Sequence, residues 1–391
     1  MTRGRRVFVS CCSLAVLLGL TALVPERAPA ESPPSGPATT LQQSWKAYVA
    51  RFIEPDGRVV DPKAGGASTS EGQAYAMLRA VWLRDRAVFD RTYAWGKRYL
   101  NAGVRKDRLW AWKWTKAPDA RSRVPDDAFA SDADQDVALA LILAFRTWKD
   151  ERYLRDASAI LADLWRLATV DAQGRRFLLA GDKLCAGRAC RLNPSYCAPY
   201  AYRIFALHDR ERDWKSLVDS SYALLETSAT LTATHLPPDW IVLDTTTGRL
   251  ALPGGKDSAF SYDAMRVYWR VAMDRELFTE PRADEYLKRT LPWLIARWER
   301  VGTLPAVIPQ SGDDPADYES PEMLAALMPA LQRVRPDIAA AIDRRLQSLY
   351  THGVWADHAG AQDSYYLQNW AWFGTALYHR QLAPFKSPGP R

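Results

Sequence analysis

Histidine and cysteine are scarce in this chain, with 5 of each among 391 residues, and neither falls into a metal-ligand pattern. None of His208, His235, His352, His358 or His379 lies in an HExxH arrangement and no CxxC is present, so no metal site and no cofactor are expected. Long runs of one charge are also missing. The formal net charge of +7 is too mild to imply nucleic acid, and a neutral substrate suits such a surface at least as well as a charged one. Beyond the amino terminus no apolar run reaches the roughly 20 residues of a membrane span. Strand-type alternation is rare, which turns attention to helices.

Residues 1–30 carry Arg3, Arg5 and Arg6, an apolar stretch from Val7 to Val24 and then Ala28-Pro29-Ala30, the pattern of a cleaved export signal. The Arg5-Arg6-Val7-Phe8 opening also fits a twin-arginine signal, so both general and twin-arginine export stand open. Loss of this segment removes four arginines and one glutamate and lowers the formal charge from +7 to +4. The expected location is periplasmic or secreted. In that oxidising setting Cys185 and Cys190 are expected to pair around the Leu184-to-Arg191 loop, leaving Cys197 free. Residues 31–39 read as a Pro/Ser linker, 40–384 as one continuous domain, and 385–391 as a disordered tail.

Helical periodicity recurs through that domain, as in Ile160/Leu161/Leu164/Trp165 and Ile338/Ile342/Leu346/Leu349. It predicts twelve helices, at 40–52, 71–85, 87–101, 134–149, 151–168, 194–208, 212–228, 259–274, 282–299, 320–334, 336–350 and 364–381, with Pro292 kinking the ninth. Short and long connections alternate between them, which suggests six helical hairpins stacked in a ring. Stretches such as Ala138–Phe145 and Ala371–Tyr378 are apolar nearly all round and fit an inner set, while the third, fifth, seventh, ninth and eleventh helices carry a charged face.

The most unusual polar residues gather at the starts of the inner helices: Glu71, Asp132 and Asp134, Tyr196, Tyr262-Asp263 with Arg266, Glu319, and Tyr365 with Asn369. In a ring of parallel inner helices all would face one end and line a cleft. Capping and the helix dipole also favour acids at such positions, and Ser68-Thr-Ser-Glu71 has the form of a capping box, so a structural role stands beside a functional one. Asp263 differs, because its apolar surroundings from Ala259 to Met265 make an unpartnered carboxylate costly. Glycoside hydrolysis requires two carboxyls of this kind, one protonated and one ionised. Sixteen tryptophans accompany them, with Trp110-Ala-Trp112-Lys-Trp114 in a loop at a spacing poor for a helix core. Indole faces stack on sugar rings. Either this loop serves the cleft as a whole, or Trp110 and Trp114 roof the barrel and Trp112 alone faces substrate. Trp240 reads as core packing.

At these residues the chain resembles glycoside hydrolase family 8, on Ala130-Ser-Asp132-Ala-Asp134-Gln-Asp-Val137-Ala138 with Ala144 and Trp148, Thr69-Ser-Glu71-Gly-Gln-Ala-Tyr75, Leu192-Asn-Pro-Ser-Tyr196, Tyr262-Asp263-Ala-Met-Arg266 and Tyr365-Tyr-Leu-Gln-Asn369. Val137 is a conservative departure from the family's Ile or Met. The resemblance implies an all-α (α/α)6 barrel and an endo-acting, inverting hydrolase. It implies Glu71 as general acid, Asp263 as base and Asp132 as the residue supporting the sugar at the cleavage point. Arg266, one helical turn after Asp263, is expected to hold the base ionised by pairing with it or with Asp132, Tyr365 to place water or sugar, Trp112 to stack, and Tyr196, Tyr262 and Asn369 to contact substrate. Inversion further implies a Glu71–Asp263 separation of about 6.5–9.5 Å.

Within the family the Tyr-Asp-Ala-Met-Arg-Val-Tyr form most resembles periplasmic endoglucanases of bacterial cellulose synthesis. The expected partner is therefore a β-1,4-glucan, with the cellulose-synthesis machinery as a further association and a monomer as the working form. Chitosanase, lichenase and xylan-acting enzymes are alternatives, and Asp134, Asp136 and Glu319 leave the first open. A non-catalytic polysaccharide-binding barrel would need no acid/base pair such as Glu71 and Asp263, and a polysaccharide lyase would prefer a Tyr or His base and a strongly basic cleft for a uronic-acid polymer.

Overall fold

Thirteen α-helices dominate the residues described by the computed structural model, 36–117 and 123–382. The expected export signal and the 385–391 tail lie outside them. The helices are α1 (Pro37–Phe52), α2 (Ser70–Trp82), α3 (Arg86–Gly96), α4 (Ser131–Trp148), α5 (Glu151–Leu167), α6 (Pro199–His208), α7 (Trp214–Thr230), α8 (Met265–Phe278), α9 (Pro281–Thr290), α10 (Pro292–Val301), α11 (Pro321–Val334), α12 (Pro336–Ser348) and α13 (Tyr365–Tyr378). Their starts are marked chemically. Side chains of Thr69, Asp85, Asp150, Asp213, Glu280, Ser320 and Ser364 each accept a first-turn N–H, and proline opens α1, α6, α9, α10, α11 and α12, where its missing N–H goes unused.

Six helices are buried along most of their length and form an inner ring. In it α2 packs on α4, α4 on α6, α6 on α8, α8 on α11, α11 on α13, and α13 back on α2. Gly374 permits the α11–α13 approach, since a β-carbon there would stand 2.1 Å from the Ala325 carbonyl oxygen. The outer helices α3, α5, α7, α9 and α12 each fold back on the inner helix before them, and α1 covers α13. Each buries one stripe, as α5 does with Tyr153, Ala157, Ile160, Leu161 and Leu164. The result is the (α/α)6 barrel. Links from inner to outer helices are short, and links from outer to inner are long, so the long connections all reach the N-terminal ends of the inner helices.

Those connections contain the strands that periodicity did not reveal. They are β1 (Ser68–Thr69) paired with β2 (Lys113–Trp114), β3 (Thr169–Ala172) with β4 (Arg175–Leu178), an antiparallel sheet of β5 (Cys185–Ala186), β6 (Ala189–Leu192), β7 (Ile241–Asp244) and β8 (Leu250–Ala251), and β9 (Tyr350–Thr351) with β10 (Val354–Trp355). Cys185 and Cys190 face each other across β5–β6 and form the expected disulfide, while Cys197 is free and buried.

Several expected boundaries shift for physical reasons. The ninth helix is broken rather than kinked, because Pro292 removes an interior N–H and crowds the preceding turn, leaving α9 and α10. Pro199 likewise delays α6, and Pro194–Tyr196 forms a separate 3-10 turn. The span 259–264 is a loop, so α8 starts at Met265. The first helix starts at Pro37, inside the expected linker, and the end of the third is a π turn over Lys97–Asn101. No helix among the described residues is long and apolar enough to cross a membrane.

Candidate active site

The first turn of α2 presents Glu71. Thr69, not Ser68, is the cap, accepting the Gly72 N–H at 3.0 Å, and Ser68 is held in β1 opposite Trp114. The expected Ser68–Glu71 capping box therefore does not form. The Glu71 carboxylate instead accepts from Arg266 Nη1 at 2.9 Å and from the Tyr365 hydroxyl at 3.0 Å. Asp132, in the first turn of α4, accepts its neighbour's Ala133 N–H at 2.8 Å and receives the same Arg266 Nη1 at 2.9 Å. Asp263 lies in the turn before α8 and pairs with Arg266 Nη2.

One guanidinium thus joins three carboxyls from three inner helices or their leading turns. The Arg266 side chain is 1% exposed, and its guanidinium sits over the Tyr196 ring at 5.3 Å. The side chains of Glu71 and Asp263 are 21% and 34% exposed, whereas that of Asp132 is 3% exposed and forms the floor. A single cation does not neutralise three acids. Burial, followed by the charges of Asp132 and Asp263, raises the Glu71 pKa to about 7, against the pull of Arg266 and the Tyr365 hydroxyl. Burial and Asp132 also raise Asp263, while Arg266, Asn193 and Trp240 oppose the shift. Solvent at its open edge moderates burial more at Asp263 than at Glu71.

Around this centre Tyr365 is nearly buried, and its phenol oxygen lies 3.1 Å from the Thr69 hydroxyl. Tyr262 has its carbonyl held by the Tyr366 hydroxyl at 2.6 Å, and its own hydroxyl faces Tyr318 and Ser320. Trp112 is 39% exposed while Trp110 and Trp114 are buried, so of the three indoles Trp112 alone is open to solvent. Ser70 N–H donates to the Trp112 carbonyl at 3.0 Å, which ties this indole to the start of α2.

Asn369 does not line the cleft. It is fully buried, its amide nitrogen donates to the Tyr48 hydroxyl and the Tyr365 carbonyl, and its oxygen accepts from Arg79. It lies one turn deeper than Tyr365, so it braces that residue from inside the barrel. The three acids that left a chitosan-type cleft open are also committed elsewhere. Asp134 accepts the buried Trp110 N–H at 2.8 Å, Asp136 is paired with Arg270 at 3.0 Å, and Glu319 accepts the Leu304 N–H and pairs with Arg345.

Two residues escaped notice and a third was misjudged. Asp239 accepts the Ser261 and Ala264 N–H groups at 3.0 and 2.8 Å and so shapes the turn that presents Asp263. Burial and then the Asp263 charge raise its pKa to about 6. Asn193 lies in the Asn-Pro-Ser turn before α6, a turn signal visible in sequence. Trp240, expected in the core, is instead half-buried beside Tyr196, with ring centres 6.2 Å apart and Arg191 over its face at 4.8 Å.

Two solvent-reaching carboxyls over a sealed third, set at the open end of a ring of helices with an exposed indole beside them, define a glycoside hydrolase. A sequence profile described as Glycosyl hydrolases family 8 matches residues 32–373, and the chain belongs to that family. It is 31% identical over 331 residues to an endoglucanase of Escherichia coli (strain K12), covering 83% of each chain. To an endoglucanase of Cellulomonas uda it is 34% identical over 232 residues, 59% of this chain and 63% of that one. Among solved structures it is similar to the endo-beta-1,4-glucanase CMCax from Acetobacter xylinum, with TM-score 0.70 and 26% identity over 89% of this chain and 99% of that one.

Proposed function

We propose that this chain is an exported endo-β-1,4-glucanase that cleaves with inversion. Glu71 donates its proton to the glycosidic oxygen as the bond to the anomeric carbon breaks. Asp263 takes a proton from the water that attacks that carbon from the opposite face. Asp132 supports the sugar from the floor of the site and keeps Glu71 protonated through its charge. Arg266 holds the three carboxyls in register, Trp112 is the stacking platform, and Tyr196, Tyr262 and Tyr365 complete the cleft. The observation that carries the reading is the set of three carboxyls gathered on one Arg266 guanidinium; burial, with the Asp132 and Asp263 charges, raises the Glu71 pKa to about 7 against the pull of that single cation. That value suits an acid working near neutrality.

Glucan suits the site better than chitosan, because Asp134, Asp136 and Glu319 all have partners within the protein. Export to the periplasm or medium fits residues 1–30 and the disulfide. Association with a cellulose-synthesis machinery rests on the Tyr-Asp-Ala-Met-Arg-Val-Tyr form at 262–268, and the working form is a monomer. Reducing-sugar release from carboxymethylcellulose, lichenan, xylan and chitosan tests the substrate: the β-glucans are expected to be cleaved fastest. Preference for chitosan, or an ultraviolet-absorbing unsaturated product, would overturn it.

A further inference from the structure

The sheet in the long connections ends beside the base. In the β6–β7 pairing Leu192 is opposite Ile241, so the next residues outward, Asn193 and Trp240, are neighbours across the ribbon where it meets the Asp263 turn. Asn193 is 3% exposed. Its side-chain oxygen is doubly engaged, accepting the Ser195 N–H at 3.0 Å and the Ser195 hydroxyl at 2.7 Å. That double acceptance identifies which end of the amide is nitrogen. Nδ2 is turned the other way, away from Ser195. The group it confronts is the Asp263 carboxyl, whose ionised form it favours together with Trp240.

A buried amide donor is ordinarily set against an acceptor, and the one this donor faces is the carboxyl that the reaction uses. We infer that Asn193 is a positioning residue, whose Nδ2 faces the Asp263 carboxyl and holds it ionised and aimed at the attacking water. The Trp240 indole flanks the same carboxyl, and Asp239 fixes the turn on which it stands. The water gives one proton to Asp263 and its oxygen to the anomeric carbon; Asn193 exchanges nothing. This inference rests on Asp263 being the base.

Asn193→Ser is the test, because serine keeps a capping oxygen for the 194–196 turn while removing Nδ2 and adding no charge. Its kcat is expected to fall about 10- to 100-fold, within the range of general-base effects, with KM unchanged within about twofold. Losing a donor to the ionised base raises the base pKa, so the acid limb of the kcat profile moves to higher pH. Asn193→Asp, which preserves both bonds from Ser195, is measured alongside and is expected to move the limb further. A Ser or Asp variant that melts with the wild type but keeps kcat and the limb position overturns the inference. If kcat falls with the limb unmoved, Asn193 is only a turn former. Asp263→Asn in parallel separates the two ideas, since substantial turnover in that variant defeats the assignment of the base itself.

Discussion

Replacing Glu71 with Gln separates the cost of the acid from its use. The carboxyl is raised from 4.5 to about 7, and each pKa unit is worth about 1.4 kcal/mol, so keeping Glu71 ionised in the fold costs about 3 kcal/mol. The sign follows from linkage. A carboxyl raised in the folded state binds its proton more tightly there, so its contribution to stability is complete below pH 4.5 and is lost as pH rises through about 7. Glutamine mimics the protonated form at every pH and does not suffer that loss. Relative to wild type, Glu71→Gln is therefore expected to gain about 2–3 kcal/mol between pH 4.5 and pH 8, with the lower figure allowing for proton sharing among the three carboxyls. Urea unfolding at the two pH values, read by tryptophan fluorescence, gives this difference of differences directly. The same variant is expected to lose nearly all turnover. A stability difference that does not change with pH, or that runs against Gln at pH 8, refutes the electrostatic account of the site.

Arg266→Lys keeps a charge but not a fork able to reach three carboxyls. It is expected to destabilise the protein by about 3 kcal/mol, as for a broken buried ion pair, and to depress kcat; thermal melting and steady-state kinetics check both. Trp112→Ala removes an exposed platform and no core packing, so KM for soluble cellooligosaccharides is expected to rise about tenfold, with Tm unchanged within about 2 °C. A larger fall in Tm would mean that the indole packs rather than binds. The kcat/KM profile of the wild type is expected to decline above about pH 7 as Glu71 ionises, and a plateau extending past pH 9 would remove Glu71 from the role of acid.

Much of this architecture was legible in the sequence because alternating short and long connections leave a chain of helices few ways to bury its all-apolar members except as an inner ring. The same alternation placed Glu71, Asp132, Asp263 and Tyr365 at one end. Three kinds of detail were not legible. Strands of two to four residues, such as Cys185–Ala186 and Ala189–Leu192, are too short for alternation to register. Asn369 stands four residues after Tyr365 and shares its face, but spacing along a helix does not give depth, and that extra turn takes it from the cleft to the barrel interior. Asp239 and Asn193 stand in turns, where sequence marks a capping side chain but not what else it faces in the folded chain. Arg266 was legible as a partner of Asp263 or Asp132; that it joins both, and Glu71 as well, depends on three connections converging.

The central claim is that Glu71 and Asp263 act on opposite faces of one anomeric carbon, and the stereochemistry of the first product tests it most directly. Proton NMR during cleavage of a cellooligosaccharide, recorded before mutarotation, is expected to show the α-anomer forming first. Initial release of the β-anomer would place the two carboxyls in a retaining mechanism and contradict the account.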